Sequence, residues 1–404
     1  MKRSISAIFC IFALCALLCT SSLAETTEPD TFTSGDFEYI LLPDGTAEIR
    51  KYSGTENDLT IPVELNGINV SSIGDEAFAF CGITSVSIPD GVTAIGGATF
   101  DSCWSLTSVS IPDSVTAIGD NPFRGCNKYI SVHVSPDNPA LAVLDGVLFS
   151  KADKRLVWYP MKKKDQEYAV PQGIVLIGDK AFDSCESLTS VFIPDSVTAI
   201  GDEAFSNCIS LTSVSIPDSV TVIEASVFYS CKSLTSISIP DSVTTIGDYA
   251  FYSCKSLTSI SIPDSVIDIG DGVFTNCWSL TSVSIPDSLT AIRDRVFSSC
   301  FDLTSVSIPD SVTTIGDYAF ASCISLTSVS IPDSITAIGD KAFDACTSLT
   351  SVSIPDNVTF IGHDAFRDCV NLTLTVSRNS YAAQYCKENN LNYTYPDSLD
   401  WLNQ

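Results

Sequence analysis

The 404-residue chain holds two histidines, two methionines and four tryptophans, and its 21 basic residues face 48 acidic ones. His133 and His363 stand far apart, so neither the many serines nor the cysteines have the imidazole partners that nucleophilic catalysis or a zinc site would need. No Gly-rich phosphate loop and no nucleophile elbow occurs. The carboxylates recur in columns rather than as one distinct acid and one distinct base. These absences make an enzyme a distant third reading, and no metal and no cofactor are expected. A net charge of −27 makes nucleic acid and anionic membrane unsuitable partners, because the body repels both. Beyond the apolar run Ile8 to Cys19, no stretch is long and apolar enough to span a bilayer. The 16 cysteines include no CxxC pair.

What the chain has is a beat. Cys185, Cys208, Cys231, Cys254, Cys277, Cys300, Cys323, Cys346 and Cys369 follow one another at a constant interval of 23, and Cys81, Cys103 and Cys126 precede them at intervals of 22 and 23. A fixed period in the twenties means one supersecondary coil per repeat, stacked so that neighbours bury what a single coil cannot. In the coil ISLTSVSIPDSITAIGDKAFDAC, Ile324 to Cys346, the residues Leu326, Val329 and Ile331 fit the L-x-x-L-x-L strand of a leucine-rich repeat. Alternation sends Val329 and Ile331 inward and Ser328 and Ser330 outward. Pro332-Asp333-Ser334 ends the strand, Ile335 to Ile338 forms a second short extended run, and Ala342, Phe343 and Cys346 pack from a single helical turn. The expected fold is a leucine-rich-repeat solenoid of 23-residue coils. It is built mainly of short strands with 3-10 or helical turns, has a parallel sheet on its concave face, and is capped at both ends.

In chain order, residues 1–24 read as a secretory signal: Lys2 and Arg3, an apolar run, then Ser22-Leu23-Ala24. A lipoprotein attached through Cys19 is disfavoured by bulky Leu18, and an uncleaved anchor is the other alternative. Residues 25–35 are a polar linker and 36–57 an N-terminal cap hairpin, which covers an otherwise open sheet edge. The solenoid occupies 58–379. Its rhythm breaks once, between Cys126 and Cys185, where the interval of 59 equals two coils plus 13. There Gly146 to Ser150 and Leu156 to Tyr159 flank Lys151 to Lys154 as a β-hairpin within an insert at 127–168. Residues 380–404 form a C-terminal cap, with a helix opened by Ser380, followed by a tail.

The consensus S-L-T-S-V-x-I-P-D-S-V-T-x-I-G-x-x-A-F-x-x-C resembles the BspA-type (Treponema pallidum-type) leucine-rich repeat over nearly the whole of the chain beyond the signal. That resemblance implies a secreted or surface-displayed protein, with adhesion to host matrix proteins or other cells as a known role in the family. It implies binding without chemistry, and relatives carry long repeats similar to the insert.

Among the repeated polar residues, the cysteine column suits buried free thiols. Side chains at strand spacing set Cβ atoms roughly 4.8 Å apart, against about 3.8 Å in a disulfide. The aspartates after Ile-Pro (Asp195 to Asp333) and after glycine (Asp202, Asp248, Asp271, Asp317, Asp340) read either as N–H-capping turn residues or as a calcium column. The departures from consensus are the candidate binding residues. Phe192 replaces a sheet serine, and is either a ligand contact or an aromatic covered by the insert. Trp104, Ile209, Trp278, Phe301 and Ile324 follow their cysteines, and form either an exposed seam or core. The insert gathers Lys151, Lys154, Arg155, Lys162, Lys163 and Lys164 against the single acid Asp153, beside Trp158 and Tyr159. It is either a basic hairpin for acidic glycan or protein segments, or a solvated loop. The functional expectation is a secreted or cell-surface adhesion or recognition protein with an extracellular protein or glycan ligand. The alternative is a structural envelope scaffold without a specific ligand.

Overall fold

A computed structural model describes residues 29–396. The expected signal peptide, the start of the linker and the end of the tail lie outside them. Nearly every coil contributes two strands, the coil of Thr245–Ile246 having only an isolated bridge at Ser238 in place of the first, and each strand type stacks in parallel on its own kind. In one, Ser305, Val306 and Ser307 pair with Ser328, Val329 and Ser330, an offset of one coil, and the valine is buried between exposed serines. In the other, Thr314 and Ile315 pair with Ala337 and Ile338. Leu326, Phe343 and Cys346 are wholly buried, so the leucine-rich-repeat solenoid reads out in burial as well as in pairing.

The polar letters of the repeat hold one coil to the next. Thr327 Oγ1 donates to Thr304 O at 3.1 Å, Thr336 Oγ1 to Thr313 O at 3.3 Å and Ser334 Oγ to Val312 O at 2.6 Å. The Asp340 N–H donates to Asp317 Oδ1 at 2.7 Å, and the Asp317 N–H to Asp294 Oδ1 at 2.9 Å. Cys346 Sγ donates to Phe320 O at 3.2 Å. Phenylalanines stack in a column, with Phe320 and Phe343 ring centroids 5.2 Å apart and nearly parallel. The single helical turn expected around Ala342 and Phe343 is instead a pair of tight turns. Lys341 and Ala345 both have positive φ, which no right-handed helix accommodates. That conformation points their N–H groups along the solenoid axis, to His363 O at 2.9 Å and Arg367 O at 2.8 Å in the next coil.

Glycine after the second strand is a matter of clearance. A Cβ on Gly339 would lie 2.6 Å from Asp317 N, and one on Gly316 2.6 Å from Arg293 C. Where the glycine is missing, the coils part. In the second half of the chain this ladder stops between Ala199–Ile200 and Val222–Ile223, and again between Asp268–Ile269 and Ala291–Ile292. The residues that follow the reopened strands are Glu224 and Arg293. At the second break a groove of about 430 Å³ opens among Ile267, Ile269, Leu289 and Ile292, with Arg293 reaching back 2.7 Å to Asp268.

Thr31–Ser34, Phe37–Leu41 and Ala47–Tyr52 form an antiparallel meander whose last strand pairs with the solenoid strand Ile68–Ile73. Thr31–Ser34 therefore corrects the linker expected at 25–35: Phe32 packs on Tyr39 with ring centroids 5.6 Å apart, which draws the segment into the sheet. At the other end, Ser380 caps the helix Tyr381–Glu388, and Tyr385 Oη accepts from Ala365 N at 3.1 Å, seating the helix on the last coil.

The insert is a partition. Leu141–Leu144, Val147–Ser150 and Arg155–Trp158 form an antiparallel sheet, and its last strand pairs with Leu176–Ile177 of the next coil. One sheet feeds two cores, by alternation except at a register shift that leaves the consecutive Val157 and Trp158 on the same side. Leu148, Val157 and Trp158 join the N-terminal core, while Val147, Phe149, Leu156 and Tyr159 join the C-terminal one. Trp158 ends one aromatic column edge-on against Phe123 at 4.8 Å, and Tyr159 begins the next against Phe182 at 5.1 Å. This corrects the reading of Trp158, Tyr159 and Arg155 as ligand contacts. The two rings are buried, and the buried guanidinium of Arg155 is taken by the Asp120 carboxylate and by Ile118 O at 2.6 Å.

Candidate functional site

The inter-coil bonds decide which side chains remain for a partner. The threonines, the serine after Pro-Asp, the aspartate after glycine and the cysteine of the coil are occupied in holding coils together. Burial pushes the Cys277 and Cys323 thiols up to about 12, so they stay protonated and unreactive near neutrality. All 13 cysteines of the described residues are free thiols. The aspartates after glycine accept N–H groups from the following coil, as Asp317 does from Asp340, so the capping they do is between coils rather than within a turn. Among the described residues no three His, Cys, Asp or Glu side chains gather as a metal-holding group.

The basic insert residues divide. Lys151 Nζ donates to Asn138 O at 2.7 Å, Lys162 lies 3.7 Å from Glu186, and Lys163 pairs with Asp165. Lys154, in the turn, and Lys164 are exposed. Local acids thus meet much of this charge, and the aromatic pair beside it faces inward.

The departures from consensus elsewhere are at the surface. Phe192, at the end of the strand Ser190–Phe192, is 58 % exposed and is not covered by the insert. Its neighbour across the ladder is Ala169. Trp104 is 59 % exposed. After the cysteines in the C-terminal half runs a surface row: Lys232, Lys255, Trp278, Phe301 and Ile324. The Lys255 ammonium sits 3.4 Å from the Trp278 ring centroid, and Phe301, one coil further on, stacks with Trp278 at 5.7 Å. Trp278 and Ile324 are exposed and Phe301 half-buried, so the row is a seam and not core. Beside it, Tyr229 and Tyr252 stack at 4.6 Å. Sequence reasoning named the three apolar members and missed Lys232, Lys255 and the tyrosine pair. The signal available was the same one, departure from the column's usual residue.

The model of the BspA type leucine rich repeat region matches in six copies, at residues 25–143, 162–279 and 267–392. No curated protein matches the chain. Among solved structures, a leucine-rich repeat protein from Bacteroides ovatus is similar at 27% identity and a TM-score of 0.53, covering 90% of this chain and 99% of that one. A leucine rich cell surface protein from Faecalibacterium prausnitzii is similar at 28% identity and a TM-score of 0.46, covering 85% and 97%. The T. pallidum leucine rich repeat protein is similar at 21% identity and a TM-score of 0.29, covering 74% and 92%. Coil by coil and over most of its length, this chain belongs to the BspA-type leucine-rich repeat family.

Proposed function

We propose that this protein works outside the cell as a non-catalytic recognition or adhesion protein, presenting a rigid solenoid to an extracellular protein or glycan. Membership of the BspA-type family supports a protein-interaction scaffold, and residues 1–24 have the composition of a secretory signal. The observation that carries the reading is the division of labour in the coil. The repeated threonines, post-glycine aspartates and cysteines bond coil to coil, whereas Phe192, Trp104 and the Trp278–Phe301 row leave the column pattern and remain at the surface. Exposed apolar groups that stacking does not require are what a binding surface offers.

The test is saturable binding of the purified chain from residue 25 onward to a panel of immobilised extracellular matrix proteins and glycans. Saturable binding to at least one of them supports the reading. No binding, together with ordered self-assembly of the purified protein, would replace it with a structural envelope scaffold. Replacing Lys162, Lys163 and Lys164 together by glutamate leaves that binding essentially unchanged, because Lys162 and Lys163 already have acidic partners.

A further inference from the structure

Acids outnumber bases 48 to 21 over the chain, but one edge of the rod reverses that balance. The five consecutive turns from phenylalanine to leucine read FYSCKSL, FYSCKSL, FTNCWSL, FSSCFDL and FASCISL, spanning Phe228 to Leu326. They carry two lysines and one acid, Asp302. On the C-terminal side the next turn, FDACTSL, Phe343 to Leu349, is acidic again; on the N-terminal side an uncharged turn, FSNCISL, Phe205 to Leu211, separates the band from the acidic FDSCESL, Phe182 to Leu188.

Within this band the residue after the cysteine changes in order along the axis. Lys232 and Lys255 come first, then Trp278, Phe301 and Ile324. The backbone ties the positions into one column: Ser279 N–H donates to Lys255 O at 3.1 Å, Asp302 N–H to Trp278 O at 3.0 Å and Ser325 N–H to Phe301 O at 3.2 Å. At roughly 4.8 Å per coil the five side chains span about 19 Å. That is the length of about six residues of extended chain, or about 13 residues of helix.

We infer that this edge is a docking strip for an acidic protein segment whose carboxylates meet Lys232 and Lys255 and whose apolar side chains lie on Trp278, Phe301 and Ile324. The inference rests on the protein-binding reading above and gives it a site and a partner chemistry. Charge complementarity selects the partner, because a lysine pair on a rod of net charge −27 is a local attraction inside a general repulsion. Ring geometry selects protein over glycan. The Trp278 indole has the Lys255 ammonium 3.4 Å from its ring centroid and the Phe301 ring stacked at 5.7 Å, so protein groups already occupy ring-face area that a pyranose would need for stacking. An apolar ridge of rings beside a methyl-bearing Ile324 suits aliphatic and aromatic side chains of a peptide.

The probe is a fluorescein-labelled 14-residue peptide with acidic residues in its first half and Leu, Phe and Trp in its second. Its partner probe has lysine in place of each acid. Fluorescence anisotropy on the whole chain from residue 25 is expected to show saturable, salt-sensitive binding of the acidic peptide, at least tenfold tighter than the lysine peptide. Lys232→Glu with Lys255→Glu weakens the acidic peptide by tenfold or more, and Trp278→Ala with Phe301→Ser does the same for both peptides. Thermal unfolding should be near that of the parent, since these side chains lie at the surface. Failure of the parent chain to prefer the acidic peptide, or indifference to both double variants, overturns the strip. If the variants keep the parent's binding to the matrix panel, the strip falls and the protein-binding reading stands. If the parent binds nothing on that panel, the broader reading falls instead.

Discussion

Gly339→Ala tests whether the coil's glycine is required by clearance. Gly339 does not have the positive φ that disfavours side chains, so alanine is conformationally admissible there. By unfolded-chain entropy alone the substitution would stabilise by about 0.4–1 kcal/mol. Against this, the new Cβ falls 2.6 Å from both Asp317 N and Gly316 C, which are backbone atoms that cannot swing aside. The coils must separate, as they do ahead of Arg293. Separation breaks Gly339 N–H to Ile315 O at 2.8 Å, Thr336 N–H to Thr313 O at 2.9 Å and Asp340 N–H to Asp317 Oδ1 at 2.7 Å. Two or three such bonds at about 1 kcal/mol net each, less the entropy gain, predict a loss of about 1–2.5 kcal/mol. Long repeat arrays do not always unfold in one step, so the urea midpoint is paired with hydrogen exchange of the segment 313–340, which should exchange faster. Gly82→Ala is the control: nothing lies within 4 Å of its Cβ, and stability should hold or rise slightly. Equal or greater stability of Gly339→Ala, with unchanged exchange, would refute the clearance argument.

Asp317→Ala removes the acceptor for the Asp340 N–H and should cost about 1–2 kcal/mol, whereas Asp317→Asn keeps an oxygen there and should cost far less; equal losses in urea titrations would reject the inter-coil staple. A native thiol titration of the chain from residue 25 with an aqueous disulfide reagent should find few reactive groups, Cys369 first because it is the one incompletely buried among the described residues, and unfolding in guanidinium should release 13; a mostly oxidised unfolded chain would contradict the free column. Trp158→Ala should cost about 3–5 kcal/mol by opening the wall between the two cores, and unaltered thermal stability would return the insert to the surface. Burial first, and then neighbouring aspartates, raise the Asp179 and Glu224 carboxyls above their ordinary values. Their contribution to stability is therefore full below the unfolded-state carboxylate value of about 4 and is lost as pH rises through the higher folded values. Melting temperature should rise as pH is lowered from neutrality toward about 5, and a monotonic fall over that interval would show that these carboxylates do not dominate the dependence.

The sequence alone determined the solenoid, because a repeat writes the same inward positions once per period and only axial stacking buries them all. It also marked where to look for a partner, since a residue that leaves its column is released from the stacking rule. Only the tertiary structure decided what those departures do. Trp158 and Tyr159 read as exposed beside six basic residues, yet they are core, because the insert stands between two interiors and packs Trp158 into one and Tyr159 into the other. Lys232 and Lys255 look like ordinary solvated charges as isolated letters and become part of a site once stacking sets them in line with Trp278. Glycine at 339 and its absence at 293 look alike in a consensus, and the difference exists only in the space between coils. Period and alternation are local properties that a sequence carries by itself, whereas the neighbour at the same height in the next coil is a whole repeat away along the chain and is supplied by folding.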